Sequence, residues 1–165
     1  CVSTILKFSD DGLVFFTQER IGYNNLLFDI FKFTTMIKGS DKIGLGNATV
    51  RNDYRVTNFG KFLRISKINE FPQLFNVLIG QMSFIGPRPL LSTEKKLLSE
   101  RAKFKGNDLR PGITGWAQVN GRDELPIPNK VVLDVEYLLR QSFWFDLKIL
   151  ILTFFKVINS EGVSH

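Results

Sequence analysis

Cysteine and histidine are nearly missing from this sequence. Each occurs once, at the chain ends, as Cys1 and His165. A single cysteine excludes an intrachain disulfide and a Cys-rich metal site, and it fits a reducing compartment. A lone histidine at the tail argues against His-based catalysis, because chain ends are seldom tied down. No window holds the roughly 18 uninterrupted apolar residues of a spanning helix. Signal peptide, internal repeat and low-complexity tract are likewise missing. The chain does not begin with Met; it opens on Cys1-Val2-Ser3-Thr4-Ile5-Leu6-Lys7-Phe8. That opening reads as the end of something longer, so upstream sequence is expected.

Phenylalanine is what the chain has in excess: 16 Phe against 3 Tyr and 2 Trp among 165 residues. Phe has no polar tip and suits a core or lipid better than a wet surface. The net charge of +6 favours an anionic partner: phosphate ligands, nucleic acid or an anionic bilayer face. Charge alone does not choose among these. A basic nucleic-acid-binding module is the remote reading. Against it, the Phe residues lie in apolar runs rather than between arginines, and no helix-turn-helix or zinc pattern is present.

The length is that of one domain with a real core. Residues 14–20 and 27–33 are rich in Phe, Val and Ile and flank the turn-rich Gly22-Tyr23-Asn24-Asn25, which predicts a β-hairpin. Residues 38–53 carry Gly39, Gly44, Gly46, Asn47 and Asn52 and read as a mobile loop. Phe71, Leu74, Phe75 and Leu78 form one apolar helical stripe. Asn69 is the expected N-cap of that helix, Pro72 falls in its first turn and Gly80 ends it. Further helices are predicted over 92–104, 129–141 and 145–158. The last is apolar almost all round and is short for a bilayer, so it suits a core or an interface. The fold class that follows is α/β of the α+β type: a small antiparallel hairpin, several helices and long ordered loops. A Rossmann-like sheet is not expected, since strands and helices do not alternate.

Several segments have residues suited to phosphate chemistry. Asn69-Glu70 lies at a predicted helix start, where N–H groups and the helix dipole attract phosphate oxygens. A carboxylate there can bind Mg²⁺. On spacing alone the plainer reading is favoured, with Asn69 a cap and Glu70 a complement to the dipole. In Gly86-Pro87-Arg88-Pro89 two prolines restrict the backbone around one arginine, as a phosphate clamp requires. An ordinary proline turn with a solvated Arg explains it equally well. The run from Arg110 to Arg122 holds three glycines between two arginines, either a ligand-gripping loop or a plain turn–strand–turn. Lys32 faces opposite to Phe31 and Phe33 in a strand, which suits a site or simply the polar side of a hairpin. Asp134 lies between Leu133 and Val135, so a buried role competes with the default of a solvated helix face, which is also the default for Glu136.

Taken in order, these segments resemble the monotopic bacterial sugar transferases, the polyprenyl-phosphate phosphoglycosyl transferases. The likeness runs from Val14-Phe15-Phe16-Thr17-Gln18-Glu19-Arg20-Ile21-Gly22 through Phe31-Lys32-Phe33-Thr34-Thr35-Met36 and Arg55-Val56-Thr57. It continues in Asn69-Glu70-Phe71-Pro72-Gln73-Leu74-Phe75-Asn76-Val77-Leu78 and Met82-Ser83-Phe84-Ile85-Gly86-Pro87-Arg88-Pro89. It ends in the Arg110 to Arg122 run and Phe145-Asp146-Leu147-Lys148-Ile149-Leu150.

The resemblance implies an enzyme that moves a sugar-1-phosphate from a UDP-sugar to undecaprenyl (polyprenyl) phosphate and releases UMP. This is the first membrane step of glycan assembly, at the cytoplasmic face of the bacterial inner membrane. It implies Mg²⁺ held by Glu70, catalytic roles for Asn69, Glu70 and Asp134, and donor contacts from Lys32, Arg88, Arg110 and Arg122. Some helices are then expected at the membrane interface. Residues 1–165 are expected to form one catalytic domain, with the family's N-terminal re-entrant helix not among them. The family's nucleophile is an Asp, and this sequence has Asn69 there. A neutral amide is a poor nucleophile. Three routes stay open: attack by Glu70, direct transfer, or an impaired relative acting as a membrane-surface protein. Thr34 also replaces a family Arg. The intact surroundings favour a working transferase.

Overall fold

The computed structural model describes residues 2–8, 12–43, 53–121 and 125–159. The expected loop over 38–53 lies partly outside these, as does Arg122.

Chain order begins with helix α1 (Val2–Phe8) and an antiparallel hairpin of β1 (Phe15–Ile21) and β2 (Leu27–Phe33). The hairpin prediction holds to within one residue. Its connection contains a short 3₁₀ turn in which Asn24 and Asn25 have φ of 52° and 60°. Asn tolerates this left-handed region better than most residues. In β2, Phe28 and Ile30 point inward, and period-2 alternation puts Lys32 on their face. That face packs against the rest of the molecule, so Lys32 is not on the solvated side of the hairpin.

Helix α2 (Asn58–Ile65) was not foreseen. Its N-cap is Thr57, whose hydroxyl accepts from Gly60 N at 2.9 Å. A 3₁₀ turn (Ile68–Glu70) follows, entered through left-handed Lys67, and leads to α3 (Gln73–Leu78). The predicted helix start therefore needs correction. Asn69 does not cap α3; Pro72 stands at the N-cap position, with no side-chain cap. The 3₁₀ turn takes up the local N–H groups: Glu70 N bonds Lys67 O, Phe71 N bonds Ile68 O and Leu74 N bonds Phe71 O. With the Glu70 and Phe71 N–H groups so occupied, the expected cradle of free helix-tip N–H groups does not form there.

Two further strands, β3 (Ser83–Ile85) and β4 (Gly112–Thr114), pair in parallel; β4 answers to the short strand in one of the two expectations for the Arg110 to Arg122 run, while β3 and the pairing were not foreseen. Between them lies α4 (Lys95–Ala102). After them come α5 (Trp116–Val119), α6 (Ile127–Arg140) and α7 (Phe143–Ile158). The expected helices over 92–104, 129–141 and 145–158 correspond to α4, α6 and α7. The hydroxyl of Ser142 caps α7 by accepting from Phe145 N. The principal apolar cluster joins Ile85, Val119, Tyr137, Phe145 and Ile149. A second joins Phe28, Ile30 and Met82, and a third Leu90, Leu97 and Val131. Each fully buried side chain of this size stabilises by about 1.5–3 kcal/mol. Together the clusters fix β3, β4 and the hairpin relative to α4, α6 and α7.

Candidate active site

Asn76 ties α3 to the hairpin. It is wholly buried, and its amide nitrogen donates to Asp29 O at 2.7 Å and Gln81 Oε1 at 2.8 Å. Its oxygen accepts from Phe31 N at 3.1 Å. A buried amide so fully bonded fixes the spacing of the two elements. The turn before α3 is thereby held under the end of β2. There Lys32 Nζ meets Glu70 Oε1 at 3.5 Å. Beside Glu70, the Asn69 side-chain oxygen is buried and has no hydrogen-bond partner. Thr34 Oγ1, one step past β2, is a second buried oxygen in that condition.

The Gly86–Pro89 loop is held differently. Every residue from 86 to 90 has a backbone hydrogen bond. Gly86 N donates to Thr114 O and Gly112 N to Pro87 O, both at 2.9 Å. Arg101 Nη1 donates to Arg88 O at 2.8 Å, and Arg20 Nη1 to Pro89 O at 3.3 Å. Leu90 bonds Ile21 in both directions. Gly86 is required here because a Cβ would sit 2.2 Å from Arg110 O, well inside contact distance. Two prolines and five anchored residues leave the Arg88 backbone little freedom.

Asp134 lies behind this loop. It is 2% exposed, and Arg101 Nε donates to its Oδ2 at 2.7 Å. Burial pushes the Asp134 carboxyl above the ordinary aspartate range, while the Arg101 guanidinium pulls the other way. Arg101 and Arg88 also line a small cleft with Gly22 and Asn107. Arg110 is exposed and stacks over the Tyr23 ring at 5.9 Å.

The described contacts thus gather the sequence candidates into two groups. Lys32, Asn69 and Glu70 come together at the open end of the hairpin. Arg88 and Asp134 come together through Arg101 near its turn, and Arg110 flanks the same turn through Tyr23. Arg101, Arg20 and Asn76 were missed by sequence reasoning. A usable signal existed for Arg101: it follows Leu97 by four residues, and both are buried, so they share a helix face. Among the described residues no three His, Cys, Asp or Glu side chains cluster to hold a metal.

A family model described as "Bacterial sugar transferase" matches residues 1–160. The chain belongs to that family, whose members are enzymes of the transferase class. It is 41% identical over 171 residues to the undecaprenyl-phosphate glucose phosphotransferase of Komagataeibacter xylinus, covering 98% of this chain and 32% of that protein. It is 43% identical over 152 residues to the uncharacterized sugar transferase EpsL of Bacillus subtilis, covering 92% of this chain and 73% of that protein. With the UDP-glucose:undecaprenyl-phosphate glucose-1-phosphate transferase of Escherichia coli the identity is 41% over 166 residues, covering 94% of this chain and 35% of that protein. The chain therefore spans about a third of the length of the two relatives with a named activity.

Proposed function

We propose that this chain is the catalytic part of a phosphoglycosyl transferase that moves a sugar-1-phosphate from a UDP-sugar to a polyprenyl phosphate, with release of UMP. Glucose is the first donor to test, given the names of the relatives. The observation that carries the reading is the Lys32–Glu70 pair beside the unpartnered Asn69 oxygen. An ion pair at 3.5 Å that is still partly wet can exchange partners when a charged ligand arrives.

The oxygen donors fit Mg²⁺ of the kind held by one or two carboxylates plus substrate phosphates, rather than by a complete protein cage. Glu70 would hold the ion, with the Asn69 oxygen next to it. When bound, the ion offsets pyrophosphate charge. Lys32, once released from Glu70, can donate to a phosphate oxygen. Arg88 and Arg110 are the proposed phosphate contacts on the other side, and Arg122 is proposed from the motif alone. Guanidinium forks suit phosphate oxygens. For phosphoryl transfer, such positioning and charge stabilisation supply most of the catalysis. If Glu70 is also the nucleophile, its carboxylate attacks the β-phosphorus and UMP leaves. The polyprenyl phosphate oxygen then displaces the carboxylate. In a direct transfer the lipid phosphate attacks and Glu70 only positions the donor.

Calorimetry on full-length protein tests the donor site. UDP-glucose should bind with Mg²⁺ present, and at least about tenfold more weakly after Glu70→Gln, the loss of roughly one charge-assisted interaction. No binding of any UDP-sugar with Mg²⁺ would count against the reading.

The acceptor implies a lipid surface. Phe71, Phe75, Leu78 and Ile79 around α3 are exposed, as are Phe143, Trp144, Phe154, Phe155 and Ile158 on α7. No described helix is long and apolar enough to cross a membrane. We propose that these faces rest in the interface at the inner-membrane surface, with lysines such as Lys148 meeting anionic head groups. Phe154→Glu together with Phe155→Glu should lower the fraction sedimenting with anionic vesicles; an unchanged fraction would remove α7 from the proposed surface.

A second reading, a non-catalytic relative at the membrane surface, draws on Asn69 alone. Activity gained only in Asn69→Asp would favour it.

A further inference from the structure

We infer that Arg101 and Asp134 are positioning residues for Arg88, setting the direction of its guanidinium toward the donor pyrophosphate from behind the loop. This rests on the proposed phosphate role of Arg88. Arg101 spends its fork in two directions. Nε donates to Asp134 Oδ2 at 2.7 Å and Nη1 donates to Arg88 O at 2.8 Å. Asp134 comes from α6 and Arg101 from α4, so the pair fastens the loop to two helices at once. Both side chains are almost fully buried, at 7% and 2% exposure.

A buried ion pair is weak evidence for stability, because desolvation offsets most of the attraction. What this pair does achieve is geometric. It aims a charged donor at the carbonyl of the single residue between two prolines. The Pro87 and Leu90 carbonyls are held by backbone N–H groups and the Pro89 carbonyl by Arg20. Pro87 and Pro89 limit the backbone around Arg88, and a bond to its own carbonyl removes the remaining peptide rotation. The side chain then starts from a fixed Cα direction, and less conformational entropy is lost when it grips a ligand.

Lysine cannot reproduce this. Its single ammonium on a flexible stem can pair with Asp134, but it lacks the planar fork that reaches a second acceptor in a set direction. The test is a double-variant cycle on full-length protein, with UDP and Mg²⁺ as the probe and calorimetry as the readout. Arg101→Lys should weaken UDP about tenfold, in the range set by one charge-assisted hydrogen bond. In an Arg88→Ala background the same change should cost less than about twofold, because the group being aimed is gone. The inference is overturned if Arg101→Lys binds UDP like the parent. It is equally overturned if the tenfold loss persists without Arg88, which would mark a general structural role. If Arg88→Ala alone leaves UDP binding unchanged, the phosphate role itself fails and the inference with it. Should Arg101→Lys not fold, Asp134→Glu keeps both charges while displacing the pair by one methylene, and it carries the same cycle with the same expectations.

Discussion

Lys32–Glu70 and Arg101–Asp134 are both opposite-charge pairs that join separate elements, yet their surroundings differ. The first is separated by 3.5 Å, with side chains 20% and 17% exposed; the second by 2.7 Å, with 7% and 2%. Lysine contributes a flexible point charge that keeps some water. Arginine contributes a rigid fork that also holds a loop carbonyl. A loose, wet pair costs little to open, so it can give its charges to a ligand. A tight, dry pair is expensive to disturb, so it can hold other groups still. The comparison separates residues that act on a substrate from residues that fix where others act.

The comparison breaks most visibly in stability. Asp134→Ala leaves Arg101 buried without its carboxylate and should cost about 3–5 kcal/mol in chemical denaturation. Glu70→Gln, at a part-buried pair where the amide can still accept from Lys32, should cost less, about 1–2 kcal/mol. Similar losses for the two would erase the distinction drawn here.

A smaller effect concerns Glu136, two residues beyond Asp134 on α6. Trp116 Nε1 donates to Glu136 Oε2 at 2.8 Å, and Arg140 pairs with the other oxygen. The indole hydrogen bond holds the Glu136 carboxyl below its ordinary value of 4.5, with Arg140 adding to the effect. A depressed folded pKa means the folded state binds fewer protons than the unfolded state. That stability is present above about pH 4.5 and is lost as pH falls through the folded value. Trp116→Phe removes the hydrogen bond, so its stability should decline less than the parent's over that acidic window. Parallel acid-denaturation curves would show that Glu136 contributes nothing there.

Much of the frame was legible because its signals are local. Phe-, Val- and Ile-rich runs around a Gly- and Asn-containing turn marked the hairpin, one-sided apolar spacing marked α6, and a nearly continuous apolar run marked α7. The β3–β4 pair was not legible. Each strand has three residues, and the partners lie far apart in sequence, so no local period marks them. Helix α2 carried a readable sign in Thr57, which precedes an amphipathic stretch. Asn69 looked like a cap because Asn commonly is one. Left-handed Lys67 instead opens a 3₁₀ turn that uses the neighbouring N–H groups. Asp134 was ambiguous in sequence because its partner stands 33 residues away; only packing of α4 on α6 brings them together. Lys32 and Glu70 were both picked out, but their meeting depends on Asn76, an amide buried on the face of α3 opposite the exposed apolar stripe.

The central claim is that Glu70, at the open end of the hairpin, works on a nucleotide-sugar pyrophosphate. UMP release by full-length protein, supplied with UDP-glucose, undecaprenyl phosphate and Mg²⁺, tests it most directly. The account predicts release by the parent and a loss of at least about a hundredfold in Glu70→Gln, with the protein still folded, as for removal of one strong transition-state contact. Undiminished release in Glu70→Gln, or none from the parent with any UDP-sugar, would contradict it.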